Sequence, residues 1–117
     1  ESVIAAARDS GGAIPGLEVE EPLFRHQDDE VELLEQTALR RVQTPQAFRA
    51  RPLLLAYRRA REAGFQGVDT AETIERFSDL SITVVPGDPH NIKVTFVEDF
   101  FAAEGYALEW EKGRWKK

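Results

Sequence analysis

The amino-acid sequence predicts an α/β fold, and three observations support this class. Segments with strand character alternate with segments of helical periodicity, residues 82–85 are almost entirely β-branched and apolar, and capping signatures precede two helical segments. The chain has 117 residues, of which 42% are hydrophobic and 31% are charged. This length suits one domain or part of one, and this composition allows a buried core.

The first third of the chain is predicted to hold a helix, a strand and an excursion from the core. Residues 2–8 have the pattern of a helix, a Gly-Gly pair breaks it, and residues 13–15 form a short apolar strand. Residues 17–36 are acidic, contain Pro22 and follow neither the helical nor the strand period, which indicates an arm or hairpin. Its apolar side chains need a partner surface, either on their own domain or on a second subunit.

The middle of the chain continues with a strand and two helices. Residues 39–43 fit a strand that runs into Thr44, which the following proline holds in an extended conformation. A helix that opens at Pro52 is predicted to end at Gly64. Asp69 stands three residues before a glutamate, as in a capping box, and begins a short helix.

The last third is predicted to add two strands and a helix. The composition of residues 82–85 is typical of a strand that is buried on both faces of a parallel sheet. Residues 91–94 fit another short strand, and residues 95–98 form a capping box that starts the last helix. Residues 109–117 are expected to form a polar tail.

Composition and charge exclude several classes of function. The sequence has no cysteine and only two histidines, which removes disulfide frameworks, thiolate chemistry and a histidine-rich zinc cluster. Its apolar stretches fall far short of the roughly 20 residues that span a bilayer, so no membrane segment is predicted and the cytoplasm is the expected location. The arginines between residues 40 and 61 either coat a solvated helix face or bind phosphate, and a net charge of −6 speaks against nucleic acid.

Polar residues at predicted strand and helix ends are the candidates for a binding site, because ligands of open α/β sheets lie beyond the carboxyl ends of the strands. Thr44, Asp69, His90 and Lys93 occupy such positions. Lys93 is the most informative, since the other three lysines lie in the last six residues and a buried, unpaired ammonium is costly. It either faces a cleft and binds an anion such as phosphate, or it forms an ion pair with Asp69 or Asp88.

Three segments of the chain resemble the 2-C-methyl-D-erythritol 4-phosphate cytidylyltransferase family, to which the ribitol-5-phosphate cytidylyltransferases are related. They are Val-Gln-Thr-Pro-Gln-Ala-Phe at 42–48, Asp-Thr-Ala-Glu-Thr-Ile-Glu at 69–75, and the stretch 84–95, which ends in Asn-Ile-Lys-Val-Thr. The resemblance covers about residues 1–108. It implies that 1–117 is the C-terminal portion of a single cytidylyltransferase domain with a Rossmann-like, doubly wound fold. The absence of methionine and an uncapped helical start favour the same interpretation, with the N-terminal CTP-binding half absent.

The resemblance also implies an activity and roles for single residues. The family transfers CMP from CTP to 2-C-methyl-D-erythritol 4-phosphate in isoprenoid precursor synthesis and releases pyrophosphate. Its cofactor is Mg²⁺, with ligands mostly in the N-terminal half, so this chain alone is expected to be inactive. Residues 17–36 match the arm that joins two subunits into a homodimer. Lys93 matches the catalytic lysine that binds the acceptor phosphate, and Thr44 and Asp69 match residues of the substrate pocket.

Three departures from the family pattern concentrate in the part that binds the acceptor. The family segment Thr-Asp-Glu is Val-Asp-Thr at 68–70. Pro22 stands where the family has an acceptor-binding threonine, and Gln36 stands where it has an arginine. The acceptor is therefore methylerythritol phosphate or another polyol phosphate such as ribitol 5-phosphate, and a non-catalytic dimerising relative is a further alternative. Arg25, His26 or Arg40 could supply the charge that the family places at these positions.

Overall fold

The computed structural model describes residues 2–113. Within this range the chain has a mixed α/β architecture, which confirms the predicted class. The elements in chain order are α1 (Ser2–Ser10), β1 (Gly11–Glu18), β2 (Phe24–Gln27), β3 (Glu30–Leu33), a 3-10 turn (Gln36–Ala38), β4 (Arg40–Val42), β5 (Ala47–Phe48), α2 (Ala50–Glu62), α3 (Thr70–Phe77), β6 (Ser81–Pro86) and α4 (Val97–Glu111).

Strand β1 lies at the centre of the main sheet. On one side β6 runs parallel to it, in a register that pairs Gly11 with Ser81 and Gly16 with Pro86. On the other side β4 and β5 both run antiparallel to it, β4 beside its end and β5 beside its start. The parallel pairing confirms the strand predicted at 82–85, and β1 extends beyond the three residues that the sequence predicts.

Helix α1 covers one face of this sheet. Its Val3 and Ala7 pack with Ala13 of β1 and Val85 of β6 into a buried cluster. Small side chains let the helix approach the strands closely, and each Å² of apolar surface removed from water contributes about 25 cal/mol. The predicted helix at the start of the chain is therefore confirmed, and it belongs to the core.

The opposite face of the sheet is open. Val85 is buried, but its neighbour Val84 is 47% exposed, so the expectation that β6 is buried on both faces is wrong. Successive side chains of a strand point to opposite faces, and α1 covers only one of them. On the other face, β6 and α3 together line an open groove of about 610 Å³.

Helices α2 and α3 pack against each other beside the sheet. Ile74 of α3 is fully buried, as is Ala56 of α2, and the Tyr57 hydroxyl donates a hydrogen bond to the Thr70 hydroxyl at 3.1 Å. Helix α2 begins and ends within two residues of its predicted limits, and α3 begins directly after the predicted cap, Asp69. Gly64 has a φ of +66°, which suits a glycine that terminates a helix.

The segment predicted as an arm or hairpin contains a hairpin. Strands β2 and β3 pair antiparallel, and the turn between them consists of Asp28 and Asp29, both with positive φ. Every residue of the two strands is exposed to solvent. Val19 at the base of the segment is buried, but the hairpin itself does not pack on its own domain. Whether it contacts a second subunit stays a prediction.

The strand predicted at 91–94 is wrong, because residues 91–95 have no regular secondary structure. The amide of Asn91 donates to the Asp88 carbonyl, and the amide of Ile92 donates to the His90 carbonyl. These local bonds of a turn replace the hydrogen bonds of a sheet. No helix within residues 2–113 has both the length and the apolar character to cross a membrane.

Helix α4 starts with a capping carboxylate one position later than predicted. Asp99, not Glu98, accepts hydrogen bonds from the backbone amides of Phe96 and Thr95, both at 2.8 Å. The bond from the Phe96 amide, and to a smaller extent the bond from Thr95, hold the pKa of the Asp99 carboxyl below its usual range. The stability that this cap contributes is therefore fully present above the ordinary carboxyl pKa. It is lost as the pH falls through the lowered pKa of Asp99. The helix reaches Glu111, into the predicted tail 109–117, of which 114–117 lie outside the described residues.

Candidate functional site

The site is built around a bulge in the edge strand formed by β4 and β5. Four residues, 43–46, separate Val42 from Ala47, whereas only two separate their partners Gly16 and Ala13 on β1. The excess of two residues pushes the Gln-Thr-Pro-Gln turn out of the sheet. The amide of Gln43 still donates to the Pro15 carbonyl at 2.9 Å, so the turn stays attached to β1.

The side chain of Gln43 binds the loop that follows β6. Its Nε2 donates to the carbonyls of Asp88, at 2.7 Å, and Asn91, at 2.9 Å. Its Oε1 accepts from the backbone amide of Asp88 at 3.0 Å. Asn91 also binds the turn, because its Nδ2 donates to the Thr44 carbonyl at 2.6 Å. The turn 43–46 and the loop 88–91 are therefore held together by four hydrogen bonds.

The side chain of Gln46 binds the start of α3 in a similar way. Its Nε2 donates to Oδ2 of Asp69 at 3.2 Å, and its Oε1 accepts from the backbone amide of Ala71 at 3.2 Å. The other carboxylate oxygen, Oδ1, accepts from the backbone amide of Glu72 at 2.8 Å. Asp69 is thus the helix cap that the sequence predicts, and the turn 43–46 connects it to Thr44.

The structure brings two of the three predicted site residues to one turn. Thr44 is exposed, and its hydroxyl forms no hydrogen bond with another of residues 2–113. Asp69 is half-buried, and each of its carboxylate oxygens already accepts one bond. Each oxygen can accept a further hydrogen bond, and Asp69 lines the open groove.

Lys93 lies in the irregular segment two residues beyond Asn91. Its side chain is exposed and forms no ion pair in the described part of the chain, so the alternative of an ion pair with Asp69 or Asp88 is not observed. His90, the fourth candidate, instead contacts Asp88 at 3.0 Å, and its ring lies nearly perpendicular to that of Tyr106, with 5.1 Å between the ring centroids. A solvent-facing ammonium next to a fixed loop is well placed to bind an anion.

The described residues contain no cluster of metal ligands. No three side chains of histidine, aspartate or glutamate in 2–113 are grouped so that they could hold a metal ion. Mg²⁺ is usually held by one or two carboxylates together with waters and substrate phosphates. The Mg²⁺ that the resemblance implies, with ligands mostly in the N-terminal half, therefore stays a prediction.

The two glutamines were not among the residues that the sequence singles out. A signal exists in retrospect, because the two amides flank a Thr-Pro pair between two strands. An amide side chain beside a break in a strand can satisfy the backbone groups of a neighbouring loop. Neither their partners nor the excess of two residues can be derived from the sequence, since both depend on contacts 23 to 48 residues away.

A substitution at Asp69 tests its capping role. We expect Asp69→Ala to lower the free energy of unfolding of the full-length gene product by about 0.5–2 kcal/mol, because α3 loses its cap. Asp79→Ala is the control, since Asp79 is exposed and forms no ion pair among residues 2–113. Urea denaturation followed by circular dichroism measures both. Equal stability of the two variants would contradict the capping role.

Solved structures of cytidylyltransferases share this fold. The structure of 4-diphosphocytidyl-2C-methyl-D-erythritol synthase from Anaerococcus prevotii has a TM-score of 0.83 and 27% identity, covering 92% of this chain and 48% of that one. The structure of 2-C-methyl-D-erythritol 4-phosphate cytidylyltransferase from Thermus thermophilus has a TM-score of 0.76 and 31% identity, covering 91% and 52%. The chain therefore shares the fold of the corresponding half of these cytidylyltransferase structures.

Sequence comparison identifies the family. The family model described as 2-C-methyl-D-erythritol 4-phosphate cytidylyltransferase matches residues 1–109. A curated protein of that name from Bacillus cytotoxicus is 38% identical over 105 residues, which are 89% of this chain and 46% of that protein. A curated protein of the same name from Bacillus licheniformis is 36% identical over 113 residues, which are 96% of this chain and 48% of that protein. The chain belongs to the 2-C-methyl-D-erythritol 4-phosphate cytidylyltransferase family, as the resemblance predicts, and spans about half the length of these curated relatives.

Proposed function

We propose that this chain supplies the acceptor-binding and dimer-forming part of a cytidylyltransferase with a Rossmann-like fold. The enzyme transfers CMP from CTP to 2-C-methyl-D-erythritol 4-phosphate and releases pyrophosphate. One observation carries the proposal. In a member of this family, hydrogen bonds of Gln43 and Asn91 bring the turn 43–46 next to the loop that leads into Lys93, although the two segments are more than 40 residues apart.

The chemistry explains why a lysine and a hydroxyl suit this place. The acceptor phosphate is an anion that attacks the α-phosphorus of CTP, which is itself surrounded by anionic oxygens. The exposed ammonium of Lys93 offsets this repulsion and holds the acceptor phosphate, and the unpaired Thr44 hydroxyl donates a hydrogen bond to the acceptor. Asp69 accepts hydrogen bonds from acceptor hydroxyls with its remaining lone pairs. No nucleophile on the protein is needed.

The proposal assigns the binding of CTP to a part of the enzyme outside this chain. The chain spans about half the length of its curated relatives. The family resemblance implies a glycine-rich CTP loop in the other half. The chain by itself is therefore proposed to be inactive.

Incubation of the full-length gene product with CTP, MgCl₂ and single polyol phosphates tests the function. We expect pyrophosphate release with 2-C-methyl-D-erythritol 4-phosphate, and none from residues 1–117 alone. Release with ribitol 5-phosphate but not with methylerythritol phosphate would favour the paralogous activity. No release with any acceptor would contradict the enzyme and favour the non-catalytic dimerising relative.

The homodimer is the second part of the proposal, and the hairpin supports it. Directly opposed residues of a hairpin share one face, and the register pairs Phe24 with Leu33 and His26 with Val31. Phe24, Val31 and Leu33 are 57%, 63% and 61% exposed. The other face carries the ion pair between Arg25 and Glu32, at 3.2 Å. One face is therefore largely apolar without cover, as expected of an arm that packs on a second subunit.

A second acceptor is favoured by the surroundings of Gln36. Its Nε2 donates to the Glu20 carbonyl at 3.2 Å, across the base of the arm. Two side chains that could replace the family arginine are engaged within the same segment. Arg25 pairs with Glu32, and Arg40 donates to the carbonyls of the neighbouring residues 37 and 39. An acceptor phosphate would therefore compete with these contacts for Arg25 and Arg40.

Restoring the family residues tests the identity of the acceptor. A lost hydrogen bond costs about 0.5–1.5 kcal/mol, or about 1.5–3 kcal/mol when one partner is charged. We expect Pro22→Thr combined with Gln36→Arg to raise kcat/KM for methylerythritol phosphate by roughly one to three orders of magnitude, and to lower it for any other natural acceptor. Steady-state kinetics with both acceptors measure this. The altered-acceptor hypothesis is wrong if the unmodified enzyme is already efficient with methylerythritol phosphate and the double variant is no better.

A further inference from the structure

We infer that Gln43 is a positioning residue of the acceptor site. Its side-chain amide holds the loop 88–91 against the turn 43–46 and so fixes where Lys93 stands relative to Thr44. The inference rests on the proposed function and deepens it, because it names a residue through which that site is assembled.

The position of Lys93 is not determined by contacts of its own side chain. Its side chain is exposed and forms no hydrogen bond or ion pair with another of residues 2–113. The segment 91–95 has no strand or helix to hold it. Its position therefore depends on the two anchors that flank it, which are the loop from Asp88 to Asn91 and the bond from the Thr95 amide to Asp99. That loop is attached to the turn 43–46 by Gln43 and by the bond from Asn91 to the Thr44 carbonyl.

The side chain of Gln43 contacts the loop through both of its polar atoms. The amide has both donor and acceptor groups, and it uses both: Nε2 reaches two carbonyls and Oε1 accepts one backbone amide. Three bonds from one planar group fix two points of the loop, Asp88 and Asn91, at once. A side chain of similar shape without polar atoms would leave these backbone groups without their partners.

Gly87, just before the loop 88–91, leaves room for the Gln43 amide. A β-carbon at Gly87 would collide with Oε1 of Gln43, so a residue without a side chain leaves the space that the amide occupies. Gly87 also donates its own amide to the Gly16 carbonyl at 3.0 Å, which keeps this point of the loop beside β1. Gly87→Ala should therefore displace the Gln43 amide without changing Gln43, and it serves as a second variant.

Kinetics of the full-length gene product give the first test. We expect Gln43→Met and Gly87→Ala each to lower kcat/KM for the acceptor about 10- to 100-fold, with KM for CTP changed less than about 2-fold. Gln66→Met is the matched control, because Gln66 is exposed and forms no hydrogen bond among residues 2–113. Equal kinetics of Gln43→Met and Gln66→Met, in an active enzyme, would overturn the inference.

A double-mutant cycle separates positioning from general stability. If Gln43 acts through Lys93, Gln43→Met should lower kcat/KM much less in a Lys93→Ala background than in the native enzyme. A purely structural role predicts the same fold-loss in both backgrounds. Equal losses would therefore overturn the inference even if both single variants were impaired.

Hydrogen exchange gives a test that does not need activity. We expect amides of 87–95 in the full-length gene product to exchange at least about 10-fold faster in Gln43→Met and in Gly87→Ala, and unchanged in Gln66→Met. Failure of the native protein to release pyrophosphate would contradict the proposed function, and this exchange measurement would then decide the inference. Unchanged exchange of 87–95 in both variants would overturn it.

Discussion

Lys93→Ala in the full-length gene product is expected to lower kcat/KM for the acceptor phosphate by about 100- to 1,000-fold. A group aimed at the charge of a reacting phosphate typically contributes on this scale. The melting temperature should change little, because Lys93 is exposed and forms no ion pair within the described residues. Steady-state kinetics and a thermal melt of the same preparation measure the two quantities.

Two further variants make the Lys93 prediction specific. Lys93→Arg keeps the charge but changes its geometry, so its kcat/KM should lie between those of the native enzyme and Lys93→Ala. Arg58→Ala removes an exposed cation from α2 that forms no ion pair in the described part of the chain, and it should leave the kinetics unchanged. A lower melting temperature of Lys93→Ala with normal specific activity of the folded protein would show a structural lysine instead.

The elements whose causes are local could be predicted from the sequence. The cap at Asp69 is an example, because an acceptor side chain three residues before a free amide is a property of the adjacent sequence. The strand at 82–85 is another, since β-branched residues favour extended backbone. Its burial was not predictable, because α1 covers one face of β6 and a groove lies on the other. Burial depends on what the rest of the chain brings to a strand.

The strand that was wrongly predicted at 91–94 also shows that contacts from the rest of the chain cannot be derived from the local sequence. Alternation of apolar and polar residues suggests a strand, but this segment pairs with no strand of the sheet, and local turn bonds form instead. Residue type and position, which the sequence provides, identify Thr44, Asp69 and Lys93 as candidates. They do not identify Gln43 and Gln46, because the bulge and its long-range bonds arise only when β4 and β5 share one edge of β1.

The hairpin β2–β3 is the place where the dimer can be tested most directly. Deletion of residues 20–34 should convert a dimer of the full-length gene product into a folded monomer with little activity. The ends of the deleted segment lie close, since the Leu34 amide donates to the Leu23 carbonyl at 2.8 Å and Gln36 reaches the Glu20 carbonyl. Sedimentation velocity measures the mass, and circular dichroism shows whether the monomer is folded.

Point variants on the two faces of the hairpin give the sharper version of this prediction. Phe24→Thr combined with Leu33→Thr removes apolar surface while keeping residues that favour strands. Each fully buried side chain of this size contributes about 1.5–3 kcal/mol, so the dimer should weaken by at least about 100-fold in Kd. Arg25→Gln combined with Glu32→Gln alters only the opposite face, where the exposed ion pair contributes about 0–1 kcal/mol, and should leave the protein dimeric. A deletion variant that remained a dimer, or a charged-face variant that became a monomer while the apolar-face variant did not, would refute the assignment of this face to the dimer.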